Sequence, residues 1–298
     1  MAITAAQVKE LRQSTGVGMM ECKKALVEND GDMDKAIRWL REKGMARAAK
    51  KAGRTAAEGM VEFAVSDSKK EAAIVELNCE TDFAGKNEDF RAFAVGTTKI
   101  ALEHKINDID VLKAVEWNGS TVEKQLSELI AKVGENMSLR RVRYVSTEDG
   151  VISAYSHMGG KIGTLVVLSG DASDKAVEVG NDLAMHVAAS APKYLSRESV
   201  ASDELDQEKE IARKRLKEQG KPDDIIEKAL MGQVSKFYAD VCFVDQPFVK
   251  EPKLSVSKYI KQAGVNASVS SFVRFQLGEG IEVKQENFAE EVAAQLKK

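Results

Sequence analysis

The sequence predicts an α+β protein whose core contains two related units, each a β-hairpin followed by a helix. One observation is that the hydrophobic period changes from helical spacing to strict alternation near residue 60. Another is that the same order of hairpin, loop and helix returns after residue 150. A third is a highly charged stretch over 198–228 with a thin apolar stripe, which predicts a helical hairpin projecting from the body.

The composition is typical of a globular chain with a core. The chain has 298 residues, 43% of them hydrophobic and 31% charged. No apolar run approaches the roughly 18 residues of a membrane helix, and the first residues lack the features of a secretory or transit segment. Three scattered cysteines argue against a disulfide framework. We therefore expect a cytoplasmic protein without membrane association.

The first 44 residues predict three short helices. Thr4 and Gln7 form a capping box at the first helix, and Asp32 is placed to cap the third. Gly44 is the expected end of that third helix. Because a unit of about 40 residues is marginal alone, we expect it to dock on the rest of the chain.

The next segment, 45–59, is rich in alanine and basic residues. Its cations, Arg47, Lys50, Lys51 and Arg54, suit either contact with phosphates or a solvated helix or linker.

In the first core unit, apolar residues alternate with their neighbours on both sides of a turn at 67–70, which predicts a β-hairpin. Asn87 is placed to cap the following helix. In the second unit the hairpin covers 150–170, and Ser173 or Asp174 caps its helix. A strand over 270–277 is expected to join the second sheet.

Between the units, Ser120 and Glu123 predict a capping box for a helix that Gly134 ends. An amphipathic helix is expected at the end of the chain. The predicted division of the chain is a three-helix domain (1–44), a basic linker (45–59), core subdomain N (60–145), core subdomain C (146–191 and 240–282), a helical hairpin insertion (192–239) and a C-terminal helix (283–298).

No set of catalytic residues is recognisable. The sequence lacks a P-loop, a GxSxG elbow, an HExxH pair and Cys/His spacing for zinc, so we expect no enzyme activity, cofactor or metal. The "GGKIG" segment at 159–163 falls in a hairpin turn. His186 is predicted to be packed and His157 exposed. Cys79 is either a nucleophile or a buried small side chain on the inward face of its strand.

Apolar residues occur where the chain is expected to turn. Phe83 lies in the polar loop that joins the first hairpin to its helix, although the corresponding loop of the second unit is short and wholly polar. Its ring either folds back onto its own domain or binds a partner. Met19 and Met20 follow a glycine turn, and only one of them is expected to face the three-helix core.

Several long motifs, in the same order along the chain, resemble the elongation factor Ts family. They include "TGVGMMECKKAL" (15–26), "NCETDFAGKNEDF" (78–90), "KVGENMSLRR" (132–141), "YSHMGGKIGTLVV" (155–167), "AMHVAAS" (184–190) and "VRFQLGEGIE" (273–282). The resemblance implies a UBA-like N-terminal unit and a coiled-coil hairpin. It also implies a guanine-nucleotide exchange factor in translation, which binds elongation factor Tu in its GDP-bound and nucleotide-free forms.

The resemblance implies that the loop after the first hairpin acts as a wedge that disturbs the partner's Mg²⁺ and phosphate site. The implied wedge consists of Thr81, Asp82, Phe83 and Ala84. Further implied contacts are Arg12, Met19, Met20, Lys23, Val133, Gly134 and His157. The pair Ala84-Gly85 stands where a bulkier Val-Ala is expected, which predicts a more flexible wedge.

Two other functions remain open from the sequence. A ribosome- or RNA-binding protein would use the cations of 45–59 and the "RRVR" segment at 140–143. The net charge of −3 gives such binding no general support, and no direct nucleic-acid binding is expected. The second function left open is that of an enzyme built around Cys79. The helical hairpin is expected to form a homodimer, as in a 2:2 complex, or to contact the partner's other domains.

Overall fold

The computed structural model describes residues 3–282, apart from the side chains of Met45, Arg47, Ala49 and Asp224. The C-terminal helix predicted over 283–298 lies outside the described residues. Within this range, no helix is long and apolar enough to cross a membrane.

Three helices form the N-terminal unit, as predicted. They are α1 (Ala5–Thr15), α2 (Met19–Glu28) and α3 (Met33–Lys51). The Thr4–Gln7 capping box and the Asp32 cap are both present. The prediction that Gly44 ends the third helix is wrong, because α3 continues to Lys51. Gly44 instead allows close packing, since a Cβ there would lie 3.0 Å from Cβ of Ala131.

The first core unit is a three-stranded antiparallel sheet in the order β1-β2-β5, covered by helices. Its elements are β1 (Glu58–Val65), β2 (Glu71–Cys79), α4 (Asp82–Gly85), α5 (Glu88–Glu103), α6 (Ile109–Ala114), the short strands β3 (Glu116–Trp117) and β4 (Ser120–Thr121), α7 (Val122–Val133) and β5 (Met137–Ser146). The predicted Ser120 capping box is wrong: Thr121 caps α7, and its hydroxyl accepts from the N–H of Lys124.

The second core unit repeats this arrangement with the sheet order β10-β7-β6. Its elements are β6 (Val151–His157), β7 (Ile162–Ser169), α8 (Asp174–Ser190), the short strands β8 (Pro247–Phe248) and β9 (Glu251–Ser255), α11 (Val256–Gln262) and β10 (Ser268–Gln276). Both hairpins are confirmed, Ser173 caps α8, and the last strand joins the second sheet.

The helical hairpin is inserted into the second unit. It consists of α9 (Ser202–Glu218) and α10 (Asp223–Val241), with short 3-10 turns at Arg197–Ser199 and Phe243–Asp245 on either side. The two helices share a small apolar seam of Ala212, Leu216, Ile226 and Leu230. This narrow seam confirms the predicted antiparallel pair.

The two sheets pack against each other, and helices cover their outer faces. On β2, Ile74 faces the other sheet whereas Val75 and Leu77 face the helices, as the twofold period of a strand requires. Leu165 and Val167 come from the second sheet to the shared interior. The result is a four-layer core of helix, sheet, sheet and helix.

A buried carboxylate joins the sheets at one end. Glu76 is fully buried and accepts hydrogen bonds from Arg140 (3.1 Å), Arg141 (2.5 Å) and the backbone N–H of Gly278 (2.8 Å). A β-bulge in β5 places both consecutive arginines beside it, because Glu76 pairs with Arg141 and Leu77 pairs with Leu139. The turn after β10 is thereby fixed to the first sheet.

Candidate partner-binding surface

The loop between β2 and α5 presents an aromatic ring to solvent. The side chain of Phe83 is 79% exposed, whereas its neighbour Ala84 is buried in the core. Phe83 therefore does not fold back onto its own domain. It lies in the single helical turn α4, which Thr81 caps by accepting a hydrogen bond from the N–H of Ala84 at 3.3 Å.

The small residues of this loop lie close to β1. A Cβ added at Gly85 would lie 3.3 Å from Cα of Gly59, so the turn packs closely on the strand. The short pair Ala84-Gly85 thus suits a close approach between α4 and the first sheet.

The charge beside the ring is fixed by a local ion pair. Asp82 accepts a hydrogen bond from Lys86 at 2.6 Å, and the Nζ of Lys86 lies 5.8 Å from the centroid of the Phe83 ring. The hydrogen bond from Lys86, assisted by the charge of Lys161, lowers the pKa of Asp82. Because both partners are exposed, the pair is readily exchanged for another.

The tip of the second hairpin lies against β1, the strand on which the Phe83 loop packs. The N–H of Val61 donates to the carbonyl of Gly160 at 2.8 Å, and Lys161 forms an ion pair with Glu58. The side chain of His157 is exposed, as predicted, and so is that of Met158, which is 73% exposed. The first three residues of the "GGKIG" segment lie in the hairpin turn, as predicted, and Ile162 begins β7.

The turn after α7 is hydrogen-bonded directly to the loop that carries Phe83. Gly134 ends α7 with a positive φ of 91° and is exposed, while Val133 is half-buried against the core. Lys51 donates a hydrogen bond to the carbonyl of Gly134. The next residue, Glu135, accepts hydrogen bonds from Thr81, so the loop and the turn are held together.

The candidate residues of the N-terminal unit all lie at its surface. Arg12 and Lys23 are exposed, and Met19 and Met20 are 52% and 77% exposed. The prediction that one methionine faces the helical core is wrong, because the buried face of α2 is formed by Cys22, Ala25 and Leu26.

The N-terminal unit docks on α7, as expected of so small a unit. Its Arg41 forms an ion pair with Glu128 at 3.3 Å. The turn between α1 and α2 meets the C-terminal end of α7, where a Cβ at Gly16 would lie 2.5 Å from the Lys132 side chain. The structure thus brings together the Phe83 loop, the Gly134 turn and the hairpin tip, and the N-terminal unit adjoins them through Lys132.

The cations on which RNA binding would depend are largely occupied within the chain. Arg140 and Arg141 bind the buried Glu76, and Arg54 pairs with Glu80 at 3.4 Å. Lys51 is bonded to Gly134. Arg143 and Lys50 are exposed.

The alternative centred on Cys79 has little support. The thiol is fully buried and donates to the carbonyl of Thr81 at 3.1 Å. Burial raises the pKa of Cys79 to about 12, so the reactive thiolate is scarce at neutral pH. His186 is buried, as predicted, and bonded to Gln246. Among residues 3–282, no group of three potential ligand side chains is placed to hold a metal ion.

Sequence reasoning missed the residues that hold the Phe83 loop in place. These residues are Glu80 and Glu135. Glu135 accepts hydrogen bonds from Thr81, and Glu80 accepts one from the N–H of Asn136 at 2.6 Å. The available signal was the "GEN" segment at 134–136, where a glycine helix end is followed at once by polar residues. Met158 was also missed as an exposed apolar tip.

An exposed aromatic on an anchored loop, with further apolar and charged side chains beside it, is typical of a protein that acts by contact with another protein. Comparison with known sequences specifies the class. The family model described as Elongation factor TS matches residues 80–279.

Similar proteins cover almost the whole chain. Elongation factor Ts of Clostridium botulinum (strain Alaska E43 / Type E3) is 49% identical over 302 residues, covering 99% of this chain and 100% of the relative. Elongation factor Ts of Magnetococcus marinus is 49% identical over 300 residues, covering 98% of each. That of Clostridium perfringens (strain SM101 / Type A) is 48% identical over 297 residues, again covering 98% of each. The chain belongs to the elongation factor Ts family.

Proposed function

We propose that this chain promotes the exchange of GDP for GTP on elongation factor Tu by inserting the Phe83 loop beside the partner's Mg²⁺ and phosphate site. Family membership makes it a translation elongation factor that acts as a nucleotide exchange factor for that GTPase. It makes or breaks no covalent bond in this role, and its place of action is the cytoplasm, where translation occurs.

The observation that carries the proposal is the 79% exposure of Phe83 on a loop that is itself anchored. Burial of an aromatic ring contributes about 1.5–3 kcal/mol of favourable free energy. This energy becomes available only when the partner opens an apolar slot for the ring. Phe83 therefore favours the opened form of the partner over the closed, GDP-bound form.

Asp82 supplies the polar part of the wedge. Its carboxylate is held next to the ring by Lys86 at 2.6 Å, at the exposed end of the loop. We propose that in the complex it exchanges Lys86 for a group of the partner that supports the metal site. The exposed Asp82–Lys86 ion pair contributes little to the stability of the free protein, so its loss on binding costs little free energy.

The thermodynamic requirement on an exchange factor is differential affinity. It must bind the nucleotide-free partner more tightly than the GDP-bound one, since a ligand with equal affinity for two states shifts neither. By reciprocity, GDP weakens the factor's binding as much as the factor weakens GDP. Phe83 and Asp82 are the residues proposed to provide this difference.

The remaining candidate residues are proposed to provide general affinity. They are Arg12, Met19, Met20 and Lys23 of the N-terminal unit, Val133 and Gly134 after α7, and His157 at the hairpin tip. All of them except the half-buried Val133 are exposed, and this exposure supports the proposal. The α9–α10 hairpin is proposed to mediate either a 2:2 complex or contact with other domains of the partner, which the mass of the complex distinguishes.

The test is release of a fluorescent GDP analogue from elongation factor Tu, followed by stopped flow. We expect this chain, at concentrations below that of the partner, to accelerate release through many turnovers. No acceleration would contradict the proposal. A gel-shift titration with RNA at several salt concentrations tests the competing function, which requires salt-dependent retention of the RNA.

A further inference from the structure

The wedge loop is held by a pair of reciprocal carboxylate contacts. Glu135 accepts hydrogen bonds from the backbone N–H of Thr81 at 2.9 Å and from its hydroxyl at 2.7 Å. In return, Glu80 accepts a hydrogen bond from the N–H of Asn136 at 2.6 Å. Each loop thus contributes a carboxylate to the other loop's backbone.

The bond from the Thr81 hydroxyl also determines how α4 begins. A hydroxyl has one proton to donate, and here the proton is given to Glu135. Its lone pairs then point towards the N–H of Ala84, which donates to it at 3.3 Å. Glu135 therefore orients the cap of the helical turn that carries Phe83.

A turn of four residues is not stable by itself. Helix nucleation is unfavourable, and so short a segment holds its shape only through its caps and its packing. The packing of this turn comes from Ala84, while Phe83 and Asp82 lie in solvent. The two hydrogen bonds to Glu135 are charge-assisted and half-buried, which makes them stronger than neutral ones.

We propose that Glu135 is a positioning residue for nucleotide exchange: it presents Phe83 in a fixed orientation and does not itself contact the partner. This inference rests on the proposed function of Phe83. A ring on an ordered loop inserts without the additional loss of conformational entropy that a mobile loop would incur. Glu135 also follows Gly134 directly, so it links the wedge to the proposed contact at the end of α7.

The first test is a double-mutant cycle in the GDP-release measurement. Loss of two hydrogen bonds to a charged group corresponds to about a tenfold to hundredfold decrease in release rate for Glu135→Ala. Glu135→Gln keeps one acceptor oxygen and is expected to lie between Glu135→Ala and the parent. Because Glu135 is proposed to act through the turn that carries Phe83, Glu135→Ala should cause a much smaller decrease in a Phe83→Ala background than in the parent. Glu123→Ala, at an exposed position on α7, the helix that ends just before Glu135, is the control.

A parent-like release rate for Glu135→Ala would overturn the proposal. So would an equal decrease in the presence and absence of Phe83, since it would show direct contact with the partner or general damage to the fold.

The second test does not depend on nucleotide exchange. In protein labelled with fluorophenylalanine, the Phe83 resonance is assigned by its loss in Phe83→Leu. We expect Glu135→Ala to shift and narrow this ¹⁹F line in the free protein, and Glu123→Ala to leave it unchanged. An unchanged line in Glu135→Ala would overturn the positioning role. A Phe83→Ala variant with the parent's release rate would instead contradict the proposed wedge.

Discussion

Phe83 and Phe90 lie seven residues apart, yet Phe83 is 79% exposed and Phe90 is completely buried. The contrast predicts that the same substitution to alanine is costly at Phe90 and nearly neutral at Phe83. Phe90→Ala should lower the free energy of unfolding by about 3–5 kcal/mol, because it leaves a cavity beneath α5. Phe83→Ala should change it by less than about 0.5 kcal/mol, as is usual for surface positions. Urea unfolding measures both, and a large loss for Phe83→Ala would show that the ring packs on its own domain.

The buried Glu76 gives a second prediction. Glu76→Gln removes the negative charge that Arg140 and Arg141 share, which leaves Arg140 without its carboxylate partner and Arg141 with only the exposed Glu279. Breaking such a pair costs about 3–5 kcal/mol of stability.

The control for Glu76 is Glu178→Gln. Glu178 forms an exposed ion pair with Lys175 on α8, and its loss should leave the urea midpoint unchanged. A similar midpoint for Glu76→Gln and the parent would show that the two arginines are not held by this carboxylate.

Substitution of Gly163 by alanine tests how closely the two sheets approach, and Gly232 provides a comparison outside the sheets. A Cβ at Gly163 would lie 2.6 Å from Cγ1 of Val61 and 3.1 Å from Cδ1 of Ile74. Gly163→Ala should therefore destabilise the protein by about 1–3 kcal/mol through overpacking between the sheets. Gly232 lies in α10 with no atom within 4 Å of the added Cβ, so Gly232→Ala should stabilise by about 0.5–1 kcal/mol. Thermal unfolding of the two variants should give shifts of opposite sign.

His186 predicts a dependence of stability on pH. Burial between Phe243 and Phe248 lowers the pKa of its imidazole, whose Nδ1 accepts a hydrogen bond from the N–H of Val249 at 3.1 Å. As the pH falls below about 6.5, the unfolded chain takes up a proton that the folded protein binds only at lower pH. The free energy of unfolding should therefore decrease over this interval.

Urea unfolding at pH 7.5 and 5.5 checks the contribution of His186. The decrease should be smaller in His186→Gln than in the parent, while the exposed His157→Gln should behave as the parent does. Equal decreases in the parent and His186→Gln would contradict the assignment.

Much of the fold followed from the sequence because helical and strand periods are clear where one face is buried. Both hairpins, the Asn87 cap of α5 and the paired α9 and α10 were predicted from such periods. The exposure of Phe83 could not be decided in this way. The exposure arises because Ala84, rather than Phe83, occupies the core position, and this depends on tertiary packing that the local sequence does not reveal.

Other features were not predicted correctly, because tertiary contacts override the local sequence signals. The alternation of apolar and polar residues in β5 is interrupted at its bulge, where Arg140 and Arg141 both turn towards Glu76. No strand was therefore predicted for this segment. Gly44 was interpreted as a helix end, but it lies inside α3 where that helix approaches Ala131. The Glu135–Thr81 contact joins residues 54 positions apart, which no local pattern reveals.

The most direct test of the account compares Phe83→Ala with the parent in release of fluorescent GDP from elongation factor Tu, over a range of factor concentrations. Val111→Ala, at an exposed apolar position on α6, is the matched control. We predict that Phe83→Ala strongly lowers the maximal release rate while the half-saturating concentration changes little, since most of the binding surface remains. Equal maximal rates for Phe83→Ala and the parent would contradict the central claim that this ring drives nucleotide release.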